Sequence, residues 1–392
     1  MRRSGRTATI YVAGLLVLAL LLAACGGAAD APDTAAPDDA EPDAAQTDGA
    51  AEEAEAEGGG ELTPITFALT NLRGVQYHPY YIADYVGYFE DEGLDVEIVI
   101  VDGSSSAVQQ LIAGNVQIAN PSAPATAQAA AQGNCVQQFY TGSYGNVFDF
   151  ATPESSGITE LADLEGETVG ISAPGGGEIP MVRAILAGAG LDETADYEML
   201  PVGEGGPVTY QALEGGDVAA YSSSVFDVAS VSAAGLPMRT LMPEEFAYFP
   251  TVSLVTTCDY FEANQDVLVG FARATSKAKV WAAANEQGAK DIARNYDPEL
   301  FEDEALAEEF WQTTLRLDAP PPALEGEPLG SHYLEGWETY LQFASEGTVE
   351  EGALDAEAID LEQLLPTDII GPANDFDQDE VTAEAEAFEG VE

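Results

Sequence analysis

Two histidines, three cysteines and three lysines set narrow limits on the chemistry open to this 392-residue chain. His78 and His332 are the histidines, and neither stands in a spacing such as His-x-x-x-His that would hold a metal. Carboxylates are so abundant that no pair can be singled out as an acid and a base. No catalytic set and no metal set follows, and no cofactor is called for. What remains is non-covalent binding. Gly175-Gly176-Gly177 lies between a strand-forming run and a helix-forming run, where backbone amides and a helix N-terminus can cradle an anion. A plain tight turn uses the same glycines, and the Lys-Ser or Lys-Thr of a phosphate loop does not follow. Gly103-Ser104-Ser105-Ser106 has the same two readings, and one of its serines is expected to cap the next helix.

The elements that must position these loops alternate. Ile65–Leu69 reads as a strand, Tyr80–Tyr88 as a helix, Leu94–Val101 as a buried β-branched strand, and 108–113 as a helix stopped by Gly114. Val116–Ala119 is a strand, 124–132 an Ala-rich helix and Val136–Tyr140 another strand. The pattern restarts after Gly157, with Thr168–Ser172 as a strand and Glu178–Ala189 as a helix that has Pro180 in its first turn and Gly190 as its stop. Gln211 to Val218 echoes Gln110 to Val116, a helix ending on glycine just before a strand. Strands alternating with helices imply mostly parallel sheets flanked by helices, and the echo implies two α/β lobes of similar plan. From Asn264 onward the chain reads as helical, over 266–286, 305–314 and 333–343. Residues 375–392 read as a loose acidic tail.

Charge excludes whole classes of partner. There are 69 Asp and Glu against 12 Lys and Arg, a formal net charge of −57. Such a surface repels nucleic acid, whose binding needs clustered Lys and Arg. It also destabilises the compact state by self-repulsion unless salt screens it, so the composition reads as an adaptation to high salt.

The N-terminus carries an address. Arg2, Arg3 and Arg6 precede an apolar run from Ile10 to Leu22, followed by Leu22-Ala23-Ala24-Cys25. That pattern is a secretory signal with a small-residue cleavage site, and the run is short of the ~20 residues that span a membrane. It resembles the lipobox of bacterial lipoproteins, which implies loss of residues 1–24 and lipid on Cys25. Residues 25–62 have no aromatic side chain and are rich in Ala, Asp, Glu, Pro and Gly, so they are expected to be a disordered tether.

The stretch Tyr81-Ile82-Ala83-Asp84-Tyr85-Val86-Gly87-Tyr88-Phe89-Glu90-Asp91-Glu92-Gly93-Leu94 resembles a motif of the solute-binding proteins of ABC importers. The family is the nitrate, sulfonate and taurine type, which includes thiamine-pyrimidine precursor binders. Leu161 to Gly170, Ala212 to Val218 and Ala283 to Ala293 agree in the same order, and together these stretches span about residues 64–345. The resemblance implies a two-lobed periplasmic-binding-protein-like clamp: lobe one over 63–146 and 252–374, lobe two over 147–251, with crossings near 146–151 and 247–253. It implies a monomer outside the cytoplasmic membrane that hands a small molecule to a permease and its ATPase subunits. A pyrimidine synthase of the same fold is the enzymatic alternative, but this chain lacks that enzyme's cysteine cluster, and its lysines (277, 279 and 290) all lie in the helical third section.

In such a clamp the ligand contacts loops at the carboxyl ends of strands. Those loops hold Asn71, Arg73, Tyr77, Ser122, Tyr144, Ser172, Gly176, Glu178, Tyr221 and Phe226, with Ser104 beside them. Tyrosine faces with only one basic residue suit a planar polar ring, such as a thiamine-type pyrimidine, better than a sulfonate or nitrate. With Cys25 lipidated, Cys135 and Cys258 remain, and an oxidising exterior favours their pairing.

Overall fold

The computed structural model describes residues 62–70, 74–101, 103–174, 176–346 and 354–391. The leader, Cys25 and the tether up to residue 61 lie outside them. Within the described residues the strands form two five-stranded sheets. The first contains β1 (Thr63–Thr70), β2 (Leu94–Val101), β3 (Ile118–Asn120), β4 (Val136–Thr141) and β10 (Ser253–Thr257), in the order β2-β1-β3-β10-β4. The second contains β5 (Phe148–Pro153), β6 (Thr168–Ile171), β7 (Glu198–Pro201), β8 (Ala220–Ser224) and β9 (Met238–Thr240), in the order β7-β6-β8-β5-β9.

Both sheets follow one plan. The first three strands of each run parallel, a strand arriving from the other sheet is inserted antiparallel, and the fourth strand completes the edge. The sequence echo marks equivalent places in that plan. Helix Ser104–Ile112 leads into β3 and helix Pro207–Gly215 into β8, each the third strand of its sheet. Gly114 and Gly216 sit at the two helix ends with φ of +72° and +77°, a left-handed turn that glycine adopts without a Cβ penalty. Apolar helix faces cover both sides of each sheet. Phe67, Leu69, Phe139 and Leu254 pack under helix Gln265–Ala284, while Ala68, Val108, Trp337 and Leu341 fill the opposite face. The second sheet is covered on one side by Met181, Val182 and Ile185, and on the other by Leu213 and Val228.

Three local readings need correction. β2 is an edge strand paired only with β1, so beyond the buried Leu94 its residues are half-buried or exposed instead of being enclosed. The 104–112 helix starts four residues earlier than expected and is capped by Gly103 without any side-chain cap; no serine takes that role. The stretch after Asp375 is folded. Its helix Gln378–Glu386 buries Val381 and Ala385, Phe388 meets Trp281 at 5.1 Å, and Asn285 donates to the Ala385 carbonyl at 2.8 Å. Composition there masked an apolar stripe on an acidic helix.

Two segments join the sheets, 142–147 on the way out and 241–252 on the way back, so the first lies earlier than the expected 146–151. They run side by side. The Gly142 and Ser143 amides both donate to the Val252 carbonyl at 3.2 Å, and the Asn146 amide donates to Ala247 at 2.9 Å. The Thr251 hydroxyl donates to the Gly145 carbonyl. Helix Glu304–Asp318 anchors the pair, its Leu317 carbonyl accepting from the Tyr144 and Gly145 amides at 2.7 and 2.9 Å. Lys279 donates to the Gly142 carbonyl at 2.6 Å and pairs with Asp318, which also accepts from the Ser143 hydroxyl at 2.6 Å. At the far end of the β4–β10 pair, Cys135 and Cys258 are disulfide-bonded with Cα atoms 5.4 Å apart.

Candidate binding cleft

The strand directions bring the two carboxyl edges to the crossings. β4 ends at Thr141 and its chain passes directly to the start of β5, while β9 ends at Thr240 and its chain returns to the start of β10. The parallel strands of the first sheet therefore end on the crossing side at Thr70, Asn120 and Thr141, and those of the second at Ile171, Pro201 and Ser224. This is the edge at which open α/β sheets bind ligands.

The side chains expected there divide into three groups. Asn71 and Arg73 lie outside the described residues. A second group is consumed by the scaffold. The Tyr77 hydroxyl donates to the Thr70 carbonyl and its ring meets Tyr81 edge-on at 6.4 Å. Ser104 Oγ accepts from the Ser122 amide at 3.0 Å, tying the first helix turn to the β3 edge. Tyr221 is fully buried: its hydroxyl donates to Gly203 O at 2.7 Å and accepts from Gly205 N at 3.1 Å, holding the loop after β7. It packs the second sheet and offers no face to a ligand. Burial pushes its phenol up to about 12.

The glycine loop proves to be filled from within. Glu178 is buried, and its Oε1 accepts from both the amide and the hydroxyl of Ser172, at 2.9 and 2.6 Å. A Cβ on Gly176 would lie 2.4 Å from that carboxylate, and one on Gly177 would lie 2.9 Å from the Phe148 ring. The glycines thus leave room for an internal carboxylate and an aromatic ring. Of the two sequence readings, the turn is the one realised, since a free anion would have to displace Glu178. Tyr144, which lines a pocket, and Phe226, which packs on a helix beside one, form the third group. Tyr144 lines a small pocket of about 180 Å³ with His78, Lys279 and Asp318. Burial holds the His78 imidazole down at about 4 and lifts the Tyr144 phenol to about 12. Phe226 meets Phe310 edge-on at 5.1 Å, so helix Val225–Ala233 of the second sheet leans on the 304–318 helix.

Beside that contact lies a cavity of about 500 Å³, between helix 225–233, the β5–β9 pair, the outgoing crossing and the 304–318 helix. Phe148 and Met242 give it apolar walls, and Asp149, Glu309 and Arg316 give it charge. Sequence reasoning passed over all five. Among the described residues, Arg183, Arg273, Lys277, Lys279, Lys290 and Arg294 are paired with carboxylates, whereas Arg316 and Arg239 are not, and Arg239 instead donates to the Glu154 carbonyl. In so acidic a chain, the scarcity of arginine was the one signal the sequence offered.

Comparison with known proteins places the fold. Residues 75–289 match the family described as NMT1/THI5 like, which is more than half of the chain. The chain belongs to the NMT1/THI5-like family. It is 24% identical over 266 residues to the riboflavin-binding protein RibY of Chloroflexus aurantiacus, covering 65% of this chain and 74% of that one. Among solved structures, it resembles the periplasmic aliphatic sulphonate binding protein SsuA from Escherichia coli (TM-score 0.56, 14% identity, 76% of this chain and 98% of that one). It also resembles the periplasmic nitrate-binding protein NrtA from Synechocystis PCC 6803 (TM-score 0.56, 12% identity, 84% and 99%). At these identities the likeness is one of fold, the periplasmic-binding-protein-like fold.

Among the described residues no cluster of His, Cys, Asp and Glu could hold a metal. His78 is packed against Trp311 at 5.0 Å with Nδ1 on the Val75 carbonyl, a structural histidine. His332 is likewise tied, between the Thr141 hydroxyl and the Pro366 carbonyl.

Proposed function

We propose that this protein is the extracytoplasmic solute-binding component of an ABC importer. Lipid on Cys25 anchors it outside the cytoplasmic membrane, and it works as a monomer. It captures a small organic molecule between its two sheets and delivers it to a permease and its ATPase subunits. It is not an enzyme. The observation that carries this reading is the shared plan of the two sheets, whose binding edges both border one pair of crossings; hinge motion there makes an open and a closed form.

The ligand class we favour is a planar aromatic heterocycle of the thiamine-pyrimidine kind. RibY is named for riboflavin, whose ring system is also a planar polar heterocycle. A sulfonate or nitrate is the second reading, favoured by the names of SsuA and NrtA. Against it stands the glycine loop, where Glu178 occupies the anion position. The test is mass spectrometry of whatever co-purifies with the native protein, followed by calorimetric titration in molar salt with riboflavin, an aminopyrimidine, methanesulfonate and nitrate. Saturable binding of one of them supports a carrier; no bound solute of any kind, native or added, refutes it. The same spectrum should show an acylated Cys25 and no residues 1–24, and an intact Met1 would remove the anchor.

A further inference from the structure

The cavity beside the outgoing crossing combines features that a tight turn or a packing defect would not. Asp149 Oδ1 is held by the Thr240 hydroxyl at 2.6 Å and the Phe150 amide at 2.8 Å. Its Oδ2 has no partner among the described residues, and the carboxyl lines the cavity. Across from it, Arg316 Nη2 is braced on the Thr313 hydroxyl at 2.7 Å, which leaves Nε and Nη1 without partners among the described residues. No ion pair joins Asp149 to Arg316, although Arg316 is close enough to lower the affinity of Asp149 for its proton. Phe148 lies one residue from Asp149 and presents an apolar ring in the same cavity.

We propose that this cavity is the subsite that reads the polar edge of a planar heterocycle, with Asp149 accepting a ring N–H and Arg316 donating to a neighbouring ring oxygen or nitrogen. The proposal rests on reading the protein as a solute carrier, and it deepens that reading by naming the ligand's recognition edge. The charges decide the class. Asp149 and Glu309 outnumber Arg316, so a free anion meets net repulsion, whereas an edge that carries both a donor and an acceptor satisfies both sides. Phe148 and Met242 accommodate the flat face of the ring. Burial raises the Asp149 carboxyl above its ordinary range, the cost of holding a bare oxygen in the cavity, and a ring N–H offsets it.

The test uses full-length protein in molar sodium chloride, with riboflavin and an aminopyrimidine as probes and N3-methylriboflavin as the probe that lacks the ring N–H. Asp149→Asn and Arg316→Gln should each weaken binding of the ring probe about 10- to 100-fold, the range for losing a hydrogen bond to a charged group. N3-methylriboflavin should bind wild type poorly and be indifferent to Asp149→Asn. Arg316 is exposed on its helix, so Arg316→Gln keeps the test valid even if Asp149→Asn fails to fold. Wild-type affinity in both variants overturns the subsite and leaves the carrier reading standing. Binding of methanesulfonate or nitrate in place of both rings also overturns it, again without touching the carrier reading.

Discussion

Opening the Cys135–Cys258 bond should cost this protein several degrees of thermal stability and none of its ligand affinity. The bond closes a loop 123 residues long that contains the whole second sheet. In the chain-entropy picture, releasing such a loop frees about 5 kcal/mol of disorder in the unfolded chain at 25 °C. The folded unit from Gly59 to Glu392 has a melting entropy of about 0.7 kcal/mol/K, taking ~2 cal/mol/K per residue. The expected fall in Tm is therefore about 7 °C. Cys135 precedes β4 and Cys258 follows β10, with the Cys258 amide on the Cys135 carbonyl at 3.1 Å. The bond thus lies at the opposite end of these strands from the crossings, and the ligand should not sense it. The measurement is calorimetry on a Cys135→Ser/Cys258→Ser double variant against wild type, both with Cys25→Ser and both in molar salt, alongside thiol titration of the unfolded protein. A fall below about 2 °C, or two free thiols before reduction, would refute the reasoning.

Three further outcomes follow from buried groups and charge. Tyr221→Ala should destabilise the second sheet by about 3–5 kcal/mol, because a fully buried ring leaves a cavity, while Tyr221→Phe should cost only about 1–3 kcal/mol; equal denaturation midpoints for Tyr221→Ala and wild type would contradict the burial. His78 is held neutral, with a folded value of about 4 against 6.5 in an unfolded chain, so the unfolded state takes up its proton first. Stability should be level above pH 6.5 and fall by up to about 3 kcal/mol as pH drops from 6.5 to 4, and His332 acts with the same sign. Denaturant titrations at pH 7.5 and 4.5 on wild type and His78→Gln measure this, and an unchanged pH slope in the variant would count against it. Removal of residues 1–24 takes away three arginines and no acid, so Tm should rise steadily with sodium chloride into the molar range; a flat profile would end the high-salt reading.

The fold was legible because its signals are local and repeated. Strand-forming runs, helix-stopping glycines and the echo of Gln110 to Val116 in Gln211 to Val218 each reflect backbone chemistry that acts within a few residues. The site was far less legible, because in a sheet covered on both faces the alternation of side chains no longer separates inside from outside. Tyr221 illustrates this: within Ala220–Ser224 nothing distinguishes a ring that enters the core from one that meets a ligand. Glu178 was expected to contact the ligand because sequence cannot show a carboxylate folding back onto Ser172 six residues earlier. Asp149 and Arg316 are 167 positions apart, and only the docking of helix 304–318 against the second sheet brings them to one cavity.

That docking gives the 304–318 helix two duties that bear on how a ligand would close the clamp. Its Leu317 carbonyl and Asp318 carboxylate hold the outgoing crossing, together with Lys279, so this end of the helix belongs to the hinge. Thr313, one turn earlier, and Arg316, next to Leu317, line the cavity whose other wall, Phe148 and Asp149, is the first part of the chain beyond that hinge. A rotation about residues 142–147 that shifts the second sheet relative to this helix would change the separation of Asp149 from Arg316. A ligand stabilises closure only by the difference in its affinity for the two forms. A ring that spans Asp149 and Arg316 makes both contacts at one separation and loses at least one at others, which is the differential contact that closure requires. A small anion held by Arg316 alone makes its contact at every hinge angle and would leave the equilibrium where it was.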